Sequence, residues 1–288
     1  MDSRDRETVE EKYFIKDTEL DKEQYKFKSK DERKRLQVLA KEAYEKIAKG
    51  DIRLLKAVLN NFSKFETYSS NNLILITIQS PKATELNSFD DWKRQKLFIK
   101  SGEQSIKILE PVNILKNGVL ERYMNVKRVF DVSQTNKKVK FKLPEYNDEI
   151  IQAGLENFSI IKPYGIINLP EDEIAEINLK QRQVYIDKKL HTALYNIACF
   201  DSIIKAEMLL SNAEKPAKNK MIIAIANCVF AKRYYPKSDF AETFIPEYLI
   251  ETEEYSTDDI KDILYKSREL LKRVFRSIKD IAAAKKED

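Results

Sequence analysis

Residues 31–50, DERKRLQVLAKEAYEKIAKG, place Leu36, Leu39, Ala40, Ala43 and Ile47 on one stripe, which predicts an amphipathic helix opening on acids and stopping at Gly50. A second helix is predicted from about Asp51, with Leu54, Leu55, Val58, Leu59 and Phe62 turned inward. Residues 1–30 alternate charges with isolated aromatics and hold no sustained period, so they read as a loosely ordered charged arm. Residues 68–92, YSSNNLILITIQSPKATELNSFDDW, carry an unbroken apolar run boxed by hydroxyl and amide side chains and closed by the only Trp. Ser69 or Ser70 is a suitable N-cap and Pro81 a stop, predicting a helix to about Ile78, although the β-branched content of LILITI also suits a strand.

Ser88 opens another capped turn, SFDDWKRQ, with acids first and bases last as the helix dipole prefers. Beyond it the period drops to two. SIKILEP, VNIL, RYMNVKRVFDVSQT and KKVKFKLP read as strands, with turns at Gly102 and Asn117-Gly118. The second half is mainly helical: a strand-like RQVYID, apolar-faced runs at 190–210 and MIIAIANCVFAKRYY, and an amphipathic helix over 257–284. The expected fold class is α+β, with helices and a small antiparallel sheet followed by a mainly helical second half.

At 288 residues and 42% hydrophobic content the chain can bury a substantial core. The charged start lacks the apolar stretch of a signal peptide, and LILITI ends well short of the roughly 20 residues that a membrane span needs, so a soluble cytoplasmic protein is expected. Two cysteines supply no disulfide framework. Five glycines form neither a phosphate-cradling P-loop nor a dinucleotide turn. His191 is the only histidine, which excludes a two-histidine zinc site and obliges any Ser-His-Asp or Cys-His catalyst to use it. No cofactor is expected.

Charge divides the chain. Residues 93–142 hold thirteen Lys and Arg against four acids, whereas residues 143–180 hold eight acids against two Lys. The switch near residue 145 suggests domains at 31–145 and 146–288 after the arm. In the basic segment, Trp92, Phe98, Tyr123 and Phe130 are interleaved with Lys93, Arg94, Lys96, Lys100, Lys107, Lys127 and Arg128. Cations that track phosphates and aromatics that stack on splayed bases are what single-stranded nucleic acid requires. Strand aromatics also serve as core, and lysine runs as solvated faces. The amides Asn71, Asn72 and Gln79 have two readings as well: structural bonds to backbone, or contacts to phosphates and base edges.

The residues resemble a family. Tyr68-Ser69, Asn72, Gln79, Pro81, Ala83-Thr84, Phe89, Trp92, Lys100, Gly102-Glu103, Ile106, Ile108 and Pro111, followed by Val129-Phe130-Asp131-Val132-Ser133-Gln134-Thr135, are similar in order and spacing to the amino-terminal domain of ArdC-type antirestriction proteins and their LtrC-like relatives on conjugative elements. One departure is Gln95-Lys96, where the family usually carries Gly-Arg. The resemblance implies a single-stranded DNA-binding domain over roughly residues 35–135, in which Tyr68, Trp92, Phe98 and Tyr123 are the stacking candidates and Asn72 and Gln79 are expected to position the strand or the protein's own backbone. It also implies a zincin-like carboxy-terminal half, whose H-E-x-x-H helix and following acid hold a metal.

This chain lacks those ligands. The best register places Cys199-Phe200-Asp201-Ser202-Ile203 at the H-E-x-x-H window and Ile222, Ile223 and Ala224 at the acidic position. His191, Cys199, Asp201 and Cys228 are four potential ligands, but both cysteines lie in apolar helical runs, so no metal site is expected. The expectation is a non-enzymatic single-stranded DNA-binding protein of a mobile element with a degenerate zincin-like second half. The alternative is an interaction module that occupies a restriction or conjugation protein without DNA.

Overall fold

The structure is a computed structural model that describes residues 22–116, 119–137, 141–166, 169–170, 173–211, 215–243 and 254–287. It contains two compact units. One comprises the described residues up to Ala43 together with Asn71–Lys142, and the other Tyr44–Ser70 and Leu143–Asp288. The fold is mixed α+β.

In the first unit, helix α1 (Lys22–Ala48) begins at Lys22 rather than near Asp31, so the last part of the expected arm is helical and residues 1–21 lie outside the described set. Helix α3 (Ser70–Gln79) confirms the helical reading of LILITI. Leu73, Ile74, Leu75 and Ile76 are all fully buried, which is how a helix apolar on every side must sit. The Thr77 hydroxyl donates to the Leu73 carbonyl at 2.6 Å, so this buried polar group is satisfied within its own helix. Strand β1 (Leu86–Asn87), helix α4 (Phe89–Arg94) and the long strands β2 (Ile106–Lys116) and β3 (Val119–Asp131) complete an antiparallel sheet in the order β1-β3-β2.

SIKILEP and VNIL form one strand, not two. Pro111 is tolerated because β2 is an edge strand, with one side free of any ladder it could interrupt. The hairpin closes with Lys116 opposite Val119, its two turn residues lying outside the described set. The strand expected at KKVKFKLP is not seen: residues 138–140 are outside the described set and residues 141–147 are irregular.

In the second unit, helix α2 (Ile52–Lys64) is capped by Asp51, whose carboxylate accepts the Leu54 N–H at 2.9 Å. Then come α5 (Asp148–Phe158), β4 (Lys162–Ile166), β5 (Ala175–Asn178), β6 (Gln183–Asp187), α6 (Thr192–Ser211), α7 (Pro216–Tyr234), the short α8 (Phe240–Thr243) and α9 (Thr257–Glu287). The sheet order is β4-β6-β5, with β4 parallel and β5 antiparallel to β6, and Val184 and Ile186 fully buried. RQVYID is therefore a strand as expected, but it has two partners that pattern did not reveal, because KPYGI contains Pro and Gly and AEIN is only one turn's worth of residues. Helices α5 and α9 pack so closely at Gly154 that a Cβ there would lie 2.7 Å from the Ile278 Cα.

Two buried arginines hold the end of α2. Arg268 donates to the carbonyls of Phe62 at 3.2 Å, Tyr68 at 2.9 Å and Phe65, and Arg233 donates to the Ser63 carbonyl at 2.6 Å and pairs with Glu66. Carbonyls at a helix carboxy terminus have no intrahelical partner and carry partial negative charge, so buried guanidinium groups suit them. Burial, with the neighbouring Arg233, depresses the Arg268 pKa to about 10, which still leaves it charged at neutral pH. Arg268→Met leaves three carbonyls without this donor and is expected to cost more than about 3 kcal/mol, lowering the thermal midpoint by roughly 5–10 °C. Calorimetry of the purified variant checks this; an unchanged melt contradicts it.

Candidate nucleic-acid interface

The polar frame of α3 is occupied by backbone. Asn72 Nδ2 donates to the Leu109 carbonyl at 2.8 Å and its Oδ1 accepts the Leu109 N–H at 2.9 Å. Two helical turns on, Gln79 Nε2 donates to the Lys107 carbonyl at 2.8 Å and its Oε1 accepts the Lys107 N–H at 2.9 Å. The two amides thus pair with alternate residues of the outer edge of β2 as a neighbouring strand would. Of the two readings open to Asn72 and Gln79, the structural one holds, and their amide groups are engaged within the protein.

Trp92 is likewise removed from the surface. It is 1% exposed, its indole N–H donates to the Phe130 carbonyl at 2.8 Å, and it packs with Leu97, Ile99, Phe130 and Val132. It has no face to offer a base.

Immediately after Trp92 the chain does present a surface. Helix α4 ends with the Leu97 N–H bonded to the Trp92 carbonyl at 3.0 Å and the Lys96 N–H bonded to the Lys93 carbonyl at 2.9 Å, a Schellman closure. Lys96 takes the left-handed position at φ +59°, where glycine is the least strained residue. The following segment then runs as a short strand. The Phe98 N–H donates to Asn136 Oδ1 at 3.0 Å, the Asn136 N–H to the Phe98 carbonyl at 2.8 Å, and the Lys100 N–H to the Gln134 carbonyl at 2.9 Å. Alternation buries Leu97 and Ile99 and turns Phe98 and Lys100 outward. Phe98 is 51% exposed. A large apolar ring stands on a fixed backbone between Lys96 and Lys100, with Lys93 and Arg94 exposed just before it, the arrangement that stacking on an unpaired base requires.

The basic candidates on the β2–β3 hairpin, and Lys100 and Arg94 before it, are engaged within the unit. Lys107 pairs with Glu32 of α1 at 2.6 Å and Arg128 with the same carboxylate at 3.2 Å. Lys127 pairs with Glu110 at 2.7 Å, Lys100 with Glu103 at 3.5 Å, and Arg94 with Asp91. Exposed pairs of this kind are worth at most about 1 kcal/mol, so they leave the cations exchangeable with phosphate. Tyr123 is half-buried, with the Arg33 guanidinium 5.8 Å from its ring centroid, and is less available for stacking than its sequence position suggested. Tyr68 lies in the other unit, edge-on to Phe65 at 5.6 Å, with its carbonyl taken by Arg268.

Pattern reading missed what the VFDVSQT segment does. Asp131 accepts N–H groups from Thr84 at 2.6 Å, Glu85 at 3.0 Å and Ser133 at 3.0 Å. Gln134 closes the same turn on the Asp131 N–H at 2.8 Å and reaches Glu103 and the Gln104 carbonyl. These residues tie β3 to the loops that carry Thr84 and Gly102, so they serve folding. The helical Glu32 and Arg33, close to the expected arm, were missed for a different reason: a solvent-directed charge on a helix gives no signal of its partner.

The four candidate ligands of the second unit are not gathered into a donor set. Cys199 is fully buried, and burial pushes its thiol up to about 12, so it is not a thiolate at neutral pH. Phe200 stacks on Phe230 at 4.3 Å, Asp201 is engaged by Asn227 at 2.6 Å and Lys205 at 2.5 Å, and His191 is exposed ahead of α6. Among the described residues no group of three or more His, Cys, Asp or Glu is placed to hold a metal ion.

The first unit is thus a small antiparallel sheet held by side-chain amides from a buried helix, with a basic, aromatic-bearing edge. Residues 34–146 match the family model of the N-terminal domain of anti-restriction factor ArdC, and this segment belongs to that family. A crystal structure of the antirestriction ArdC protein from plasmid R388, metal-free, is similar with a TM-score of 0.51 at 10% identity, over 82% of this chain and 98% of that one. The Mn(II)-bound structure of the same protein gives 0.49 at 10% identity, over 82% and 97%. The likeness in fold therefore extends beyond the matched domain. No curated protein sequence matches the chain.

Asn72→Ala and Gln79→Ala each unpair an N–H and a carbonyl on β2, with an expected loss of about 1–3 kcal/mol, the larger for the more buried Asn72. Denaturant titration reads the loss, and faster amide exchange at Leu109 or Lys107 assigns it; wild-type exchange there contradicts the assignment.

Proposed function

We propose that the first unit binds single-stranded DNA and that the chain acts as a non-enzymatic antirestriction protein of a mobile element. The observation that carries this reading is the exposed Phe98 ring, fixed through its backbone to Asn136 and set between Lys96 and Lys100. A stacking face with cations on both sides suits an unpaired base between two phosphates; duplex DNA keeps its bases stacked and offers no such partner. The basic surplus of residues 93–142 adds the sequence-independent attraction that this binding requires. The biological side of the reading is supported by the family match, whose model is named for an anti-restriction factor, and by the fold shared with an antirestriction protein of a plasmid. The second unit is read as a scaffold without catalysis, on the grounds that histidine pairs are absent and that the helix positions expected to bear ligands hold Cys199, Phe200, Ile222 and Ile223.

Fluorescence anisotropy with labelled oligonucleotides at several salt concentrations tests the proposal. Single strands are expected to bind more tightly than duplex, with a log-log salt slope of about −0.7 per phosphate engaged. Phe98→Ala is expected to weaken binding by about 1–3 kcal/mol without a change of slope, and Lys96→Gln with Lys100→Gln to flatten the slope. Absence of binding at low salt contradicts the reading and favours the interaction module, to be sought by pull-down of a restriction or conjugation protein.

A further inference from the structure

Glu32 offers more than a surface ion pair. Lys107 and Arg128 stand directly opposite each other on β2 and β3, so their side chains leave the same face of the hairpin. Glu32 meets both, one carboxylate oxygen on the Lys107 ammonium at 2.6 Å and the other on the Arg128 guanidinium at 3.2 Å. Two cations converging on the two oxygens of one anion form a seat for an oxyanion. A phosphodiester presents the same pair of oxygens at nearly the same spacing and with the same single negative charge.

The seat is pre-organised from behind and beside. Gln79 fixes the Lys107 backbone through both its N–H and its carbonyl, as described above. The neighbouring Arg33 anchors the helix independently by donating to the Met124 carbonyl at 3.1 Å and lying over the Tyr123 ring at 5.8 Å. The Glu32 carboxylate can therefore rotate away into solvent while α1 stays docked through Arg33.

We propose that Lys107 and Arg128 form a seat for one backbone phosphate of single-stranded DNA, and that Glu32 is a built-in competitor that holds the seat closed in the free protein. The inference rests on the DNA-binding reading above. It gives Glu32 a regulatory role: binding must displace a carboxylate, so the free protein discriminates against weak or isolated anions and yields to a strand that is also held elsewhere. Net charge at the seat is one positive unit with Glu32 in place and two once it has left, so the exchange also strengthens the field that the strand experiences.

The test uses the full chain and a labelled oligothymidylate in anisotropy titrations over a range of salt. Glu32→Gln keeps the size of the side chain and removes its charge. It is expected to tighten binding roughly threefold to tenfold, because no carboxylate has then to be displaced before the phosphate is seated. Lys107→Gln with Arg128→Gln is expected to weaken binding and to cancel the gain from Glu32→Gln when the three are combined. Wild-type binding with no gain in Glu32→Gln overturns the seat while leaving the DNA-binding reading intact. A gain that persists in the triple variant also overturns it, because the effect is then one of general charge. If neither wild type nor Glu32→Gln binds at low salt, the DNA-binding reading fails and the seat fails with it.

Discussion

The outer strand of a sheet presents a row of N–H and C=O groups that must be paired, and in the first unit the pairing comes from side chains. Asn72 and Gln79 each give one donor and one acceptor to β2, at Leu109 and at Lys107. Everything else in the unit follows from that clamp. It requires α3 to lie along β2, which explains why Leu73–Ile76 are apolar on every side, and it excludes further strand addition at this edge where the pairing is made. It also fixes the backbone at the residue that carries the Lys107 ammonium. A structural device and a candidate binding group are joined in one residue.

The same division of labour recurs beyond α3. Trp92, Asp131 and Gln134 are committed to the interior or to turn closure, while Lys96 and Phe98 face outward, and Lys100 faces outward with its ammonium on the Ser133 carbonyl at 2.8 Å. Residues that define a domain family are often those without which it does not fold; the residues between them are free to meet a ligand. Most motif residues here are the scaffold, and the candidate contacts Lys96 and Phe98 lie in a gap of the motif beside the motif residue Lys100. In the second unit, Cys199 is buried and Phe200 stacks on Phe230, and the buried arginines Arg233 and Arg268 organise the end of α2.

Local pattern carried the fold class and most helices. Ser70, the apolar run and Pro81 are enough to bound α3, and the alternation of IKIL and RVF is enough for the hairpin. What pattern could not supply was tertiary. Pro111 looked like the end of a strand, because its tolerance depends on β2 being at the edge. The strands β4 and β5 were too short or too rich in breakers to rise above the surrounding loops. The partner of each amide was invisible, since Asn72 and Leu109 meet only after the hairpin has folded back. Burial of Trp92 and exposure of Phe98 are likewise decided by a single Schellman reversal at Lys96, whose left-handed conformation nothing in a lysine announces.

In the proposed division of labour the framed apolar helix builds the domain and the Phe98 edge meets the ligand. Side-chain and backbone amide resonances, followed by NMR while a short single strand is added, test it most directly. Shifts are expected at the backbone amides of Lys96, Phe98 and Lys100 and at Asn136, with the side-chain amides of Asn72 and Gln79 and the indole N–H of Trp92 unmoved. Shifts concentrated at Asn72, Gln79 and Trp92, with the Phe98 segment silent, would contradict it.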